Sequence, residues 1–69
     1  MRRYVIEVDD RVILVRGRSA GQVLRGAGLK PLWSHVRKGH VLDRHHLPNV
    51  CLIIELAGGR YREVERDAA

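Results

Sequence analysis

Leu47-Pro48-Asn49-Val50-Cys51-Leu52-Ile53-Ile54-Glu55-Leu56-Ala57-Gly58-Gly59 is the stretch whose reading decides the fold. Its Val-Ile-Ile content would suit a strand through Val50 to Leu56. The pattern favours a helix. Proline is welcome in a first helical turn, and Leu47, Val50, Cys51, Ile54 and Ala57 recur at i, i+3, i+4, i+7 and i+10, with paired glycines to end the run. On that helix Leu52 and Leu56 lie opposite the core stripe and need a cover, which makes them the expected dimer or partner interface.

Working outward, Arg3 to Val8 and Arg11 to Arg16 are rich in Val, Ile and Tyr and flank Asp9-Asp10, the pattern of an antiparallel hairpin. Val12-Ile13-Leu14-Val15 is apolar on both faces. It should be an interior strand, covered by a helix on one side and by something else, such as a second subunit, on the other. Ser19 with Gln22 three residues on forms a capping-box pattern, and Ala20, Val23, Leu24 and Ala27 make an apolar stripe. Gly28 fits the left-handed residue after that helix, and Leu29 the apolar contact that follows it. The central run predicts a strand from Leu32 to Val36, a turn Arg37-Lys38-Gly39 closed by a left-handed glycine, and a strand from His40 to Leu42. Such a turn would project Arg37 and Lys38. A polar strand, Arg60 to Glu65, closes a single domain over residues 1–66, with 67–69 expected to fray. The predicted architecture is α+β: a small, mostly antiparallel sheet in β-β-α-β-β-α-β order with two helices on one face.

The chain has 69 residues and a formal net charge of +5, enough for one thin core. No apolar run approaches the ~18 residues of a membrane span, and Met1-Arg2-Arg3 leads into Tyr4-Val5-Ile6-Glu7 without the apolar region of a secretory signal. Cytoplasm is the expected compartment. The single cysteine, Cys51, has no partner for an intramolecular disulfide and sits in an apolar run that predicts a buried thiol. Charge is uneven along the sequence. Residues 16–46 carry seven basic side chains against Asp43 alone, plus all four histidines, and the remainder sums to −1. This segment supplies the expected nucleic-acid contacts: Arg16, Arg18, Arg25, His35, Arg37, Lys38, His40 and Arg44, with arginine suited to bidentate phosphate recognition.

Catalytic and metal signatures are weak. The spacing of His35, His40, Asp43, His45, His46 and Cys51 offers no Cys-x-x-Cys or His-x-x-x-His pair, so no metal and no cofactor is expected. Asp43-x-His45-His46-x-x-Asn49 superficially matches a fragment of a His-Asn-His nuclease but lacks the longer hairpin and the following ligand histidine. Asp43 and Asn49 are better explained as serving the start of the second helix. Gly26-Ala27-Gly28 and Gly17-x-x-x-Gly21 are weak phosphate-loop signals, since there is no Gly-Lys-Ser/Thr and no strand leads into a Gly-x-Gly-x-x-Gly. Trp33 could stack on a base. The competing expectation is a core anchor, since a lone tryptophan buries much area.

The run Leu32 to Ala57, Trp-x-x-x-x-x-Gly-His-Val-Leu followed by a polar joint and an apolar helix ending in Gly-Gly, resembles a pattern in small actinobacterial and actinobacteriophage proteins of unknown function. It is also similar to HARP-like modules of annealing helicases, in which a tryptophan-bearing strand, a turn, a second strand and a helix bind nucleic acid. The resemblance spans about 26 residues, and His40 stands where those modules usually carry a second tryptophan. The resemblance implies nucleic-acid binding, and with the charge and the weak catalytic signatures the expectation is a non-enzymatic, basic nucleic-acid-binding protein. A homodimer through the second helix goes with this first expectation; the other is a phage-type accessory protein that binds and modulates a host protein and is toxic to the host.

Overall fold

The computed structural model describes residues 2–66, so the tail expected at 67–69 lies outside the described residues. In chain order the elements are β1 (Arg3–Val8), β2 (Val12–Arg16), α1 (Ala20–Gly26), β3 (Leu32–Ser34), β4 (Gly39–Asp43), a one-turn 3-10 helix (Arg44–His46), α2 (Leu47–Leu56) and β5 (Arg60–Glu65). The strands form one sheet in the order β3-β4-β2-β1-β5. Each neighbouring pair is antiparallel except β1 with β5, which run parallel. The α+β architecture expected from the sequence is the observed one, and 47–56 is helical.

Alternation sorts the strands into two faces. Tyr4, Ile6 and Val8 of β1, Ile13 and Val15 of β2 and Leu42 of β4 share one face and pack against Ala20 and Leu24 of α1 and Val50 and Ile54 of α2. Both helices therefore cover the same side. They also end alike. The amide of Leu29 donates to the Leu24 carbonyl and that of Gly28 to Arg25; Gly59 and Gly58 repeat the pair on Ile54 and Glu55. Gly28 (φ 92) and Gly58 (φ 78) hold the left-handed position these terminations require. No helix among the described residues is long and apolar enough to cross a membrane.

Three local expectations are corrected. Ser19 has φ 62 and makes no side-chain hydrogen bond to α1, so the capping box does not form. The β3–β4 connection is the four residues His35 to Lys38, and its left-handed residue is Lys38 (φ 53), not Gly39. Gly39 is already in β4, and its need is for space. A Cβ there would lie 2.9 Å from Leu14 Cγ.

The third correction concerns the helix-free face, where the register aligns Leu32, Val41, Leu14, Glu7 and Val64 across the five strands. Leu14 is fully buried there without a second subunit. The chain covers it itself. Arg16 donates to the Glu7 carboxylate and, through Nε and Nη2, to the Arg37 carbonyl at 3.2 and 2.9 Å. Arg37 then turns back along β2, its Nη1 3.9 Å from Asp9 Oδ2 at the far end of the strand. A side chain running from the Arg16 end to the Asp9 end passes over Leu14, which lies between them.

Candidate nucleic-acid interface

Strand direction decides which loops are neighbours. β1 and β5 begin at the sheet end where β2 and β3 finish and β4 starts. That end gathers the start of β1, the β2–α1 loop, the β3–β4 turn and the start of β5. Their basic residues are Arg2, Arg3, Arg16, Arg18, Arg37, Lys38, Arg60 and Arg62. The opposite end holds Asp9, Asp10, Asp43 and Glu65 beside Arg11, Lys30, Arg44 and Arg66, and has no net charge. The domain is electrically polarised along its strands.

Of these eight residues, Arg16 is paired with Glu7, and Arg37 carries its charge away from the rim to Asp9. Among the described residues, Arg2, Arg3, Arg18, Lys38, Arg60 and Arg62 form no ion pair with a carboxylate. Arg3 and Arg60 are direct neighbours across the parallel pair, and Arg62 follows two residues along the same face. Two shallow clefts share Arg3. One, of about 530 Å³, is lined by Arg2, Arg3, Arg18 and Ser19; the other, of about 410 Å³, runs past Arg60 and Arg62. With strands about 4.8 Å apart, the rim is roughly 19 Å long.

The eight residues expected from the sequence to contact nucleic acid are split by the fold. Arg16, Arg18 and Lys38 stand on the rim. Arg37 does not project from the turn: its guanidinium lies over the sheet with Nε and Nη2 buried and without acceptors. Arg44 is at the other end, donating from Nη1 to the Asp9 carbonyl at 3.2 Å. Arg25 and His40 belong to a separate cluster beneath α1. A Cβ at Gly21 would come within 2.7 Å of His40 Cε1 and 3.0 Å of Arg25 Nη1. Burial lowers the His40 pKa below its ordinary value, and the Arg25 charge adds to this. Four rim arginines lie outside the basic segment: Arg2, Arg3, Arg60 and Arg62. The signal that could have found them is the basic start shared by the first and last strands.

Trp33 belongs to that second cluster and is not a core anchor, being 49% exposed. His40 meets its ring at a centroid distance of 5.0 Å and His35 at 6.2 Å, both in edge geometry. The indole N–H donates to His35 Nδ1 at 3.3 Å.

The remaining polar groups are accounted for locally. The His45 amide and ring hold the Asp43 carboxyl below its usual range, with the amide first, and Asp43 caps the 3-10 turn. Burial pushes the half-buried Cys51 thiol up, and the Tyr61 hydroxyl is pushed up to about 12 chiefly by its hydrogen bond with Cys51. Among the described residues no three His, Cys, Asp or Glu side chains are grouped to hold a metal ion. Leu52 and Leu56 face solvent on α2, Leu56 at 78% exposure. Compared with protein-family models, curated proteins and solved structures, the chain matches none.

Proposed function

We propose that this chain is a small, non-enzymatic nucleic-acid-binding module of the cytoplasm whose phosphate-contacting surface is the basic rim. The observation that carries this reading is the gathering of seven basic side chains at one sheet end, Arg16 paired with Glu7 and the other six without a carboxylate partner among the described residues. Within the same described residues the basic residues of the opposite end make no ion pair either, but four carboxylates lie among them, whereas the segments that meet at the rim, 2–3, 17–19, 35–38 and 59–62, contain none. Leaving six unpaired side by side creates a strong positive potential, and a phosphate backbone gains affinity there by releasing its condensed counterions. Planar guanidinium groups also match phosphate oxygens two at a time.

The test compares two double variants by fluorescence anisotropy on a labelled oligonucleotide. Arg60→Gln with Arg62→Gln removes two rim charges; Arg11→Gln with Arg44→Gln removes two charges from the neutral end. The rim variant should lose affinity and flatten the log–log salt slope by about 1.4–1.8, at roughly 0.7–0.9 per phosphate contact. The control pair should change neither by as much. Equal effects from both pairs, or no binding at low salt by the native chain, would defeat the proposal.

A second reading rests on a different observation, the exposed Leu52 and Leu56 on the outer side of α2. In it the chain is a phage-type accessory protein that docks on a host protein, or on a second copy of itself, through those leucines. Such a contact would be nearly indifferent to salt and would be lost in Leu52→Ser with Leu56→Ser, variants that leave the rim untouched.

A further inference from the structure

We infer that the nucleic acid held by the rim is single-stranded, with one of its bases stacked on Trp33. This rests on the nucleic-acid reading above and narrows its ligand. Trp33 is the chain's one tryptophan, and there is no phenylalanine. The two tyrosines are otherwise engaged: Tyr4 is buried in the core, and the Tyr61 hydroxyl donates to Glu55 Oε1 at 3.2 Å. A half-exposed indole on a three-residue edge strand leaves apolar area in water that the fold could have covered.

Its orientation is nonetheless fixed. His35 takes its N–H, and His40, itself pinned between the indole and Gly21 of α1, meets its ring. An exposed aromatic held by neighbours loses little freedom when a base stacks on it. It also has cations at hand. Lys38 of the rim is in the same hairpin, and Arg25 flanks His40. A duplex keeps its base faces stacked inside and offers only phosphates and groove edges, whereas a single strand offers phosphates and a free base face. The indole lies on the helix side of β3 and Arg3, Arg60 and Arg62 on the other face of β1 and β5, so a ligand that meets both must bend over the rim, which a single strand does and a stiff duplex does not.

The experiment titrates the full chain with an oligothymidylate, a DNA duplex and an abasic deoxyribose-phosphate strand, all of equal length, and follows both anisotropy and tryptophan emission. Trp33 is the only source of that emission. The expected result is quenching by the oligothymidylate alone and about tenfold tighter binding than the abasic strand, in line with one base–aromatic stack. Trp33→Leu should bring the oligothymidylate down to the abasic level. The ligand-side comparison uses the native chain, so it stands even where that variant is poorly folded. Equal affinity for oligothymidylate and abasic strand, or tighter binding of the duplex without quenching, overturns the stacking inference and leaves the rim intact. Binding of none of the three overturns the rim itself.

Discussion

Replacing Gly39 by alanine should destabilise the domain by about 1–2 kcal/mol, for a reason found in its neighbours and not in its own backbone. Gly39 has no positive φ, so alanine is allowed there, and the lost freedom of the unfolded chain favours the variant by about 0.4–1 kcal/mol. Against this, the new methyl would stand 2.9 Å from Leu14 Cγ, 3.1 Å from its Cδ1 and 3.2 Å from Arg16 Cγ. Leu14 has nowhere to go. It is fully buried, with Glu7 and Val41 on either side in register and the Arg37 side chain above. Overpacking of this kind costs about 1–3 kcal/mol. The net loss, at roughly 4–8 °C per kcal/mol for a domain this small, lowers Tm by about 4–16 °C. Thermal unfolding of the four corners of a Gly39→Ala, Leu14→Ala cycle checks it. In the Leu14→Ala background the space exists, and adding alanine at 39 should be neutral or favourable, giving a coupling of at least about 1 kcal/mol. The same loss in both backgrounds would refute the steric account and restore a conformational one. Lys38→Gly is the complementary change. Lys38 carries the left-handed φ of 53, and glycine there should raise stability by about 1 kcal/mol.

Two further outcomes follow from buried polar atoms. The Tyr4 hydroxyl is buried without a hydrogen-bond partner, and its ring is confined by Gly17 on one side and Gly59 on the other. Tyr4→Phe keeps the ring and removes the unpaired group, so Tm should hold or rise, by up to about 1 kcal/mol in stability; a clear fall would reveal a partner for the hydroxyl. His40 is held below its ordinary pKa of 6.5 by burial and by Arg25. The unfolded chain therefore takes up this proton first as pH falls. Its contribution to stability is complete above about pH 6.5 and declines as pH drops towards the lower folded value. Tm compared at pH 7.5 and 5.5 should show a steeper acid loss in the native chain than in His40→Gln, and parallel losses would exclude His40 as the source.

Local chemistry made much of the fold legible. The periodicity of Leu47 to Ala57, its early proline and its terminal glycines outweighed the β-branched residues, and α2 is a helix with Val50 and Ile54 buried. Gly28 with Leu29 marked the end of α1 because that termination is a matter of four or five consecutive residues. Where the structure departs from the sequence pattern the reason is shared. Nearest neighbours in sequence suggest a cap at Ser19, a turn closure at Gly39 and a projecting Arg37. For Gly39 and Arg37 the controlling groups lie far along the chain: Leu14 limits Gly39, and Asp9 draws in Arg37. Trp33 is exposed for a related reason: its size argues for burial, but β3 is a three-residue edge strand.

The candidate site was legible in kind and not in extent, because net charge along a sequence is not net charge along a surface. Arg2 and Arg3 precede a strand that runs into Asp9-Asp10, and Arg60 and Arg62 open a strand that ends in Glu63 and Glu65, so each segment looks balanced. What separates the charges is the parallel pairing of β5 with β1, in register from Arg3 with Arg60 to Val8 with Glu65. Were β5 antiparallel, Arg60 would sit near Asp9, Glu65 near Arg3, and neighbouring charges of opposite sign would neutralise both ends. The parallel arrangement requires the chain to return to the starting end before β5, and α2 provides that return between Asp43 at one end and Arg60 at the other. The direction of that return, and not its helical form, decides the charge distribution: a strand at Val50 to Leu56 would also bring the chain back to the starting end, but would leave the Ile13 face of the sheet without Val50 and Ile54.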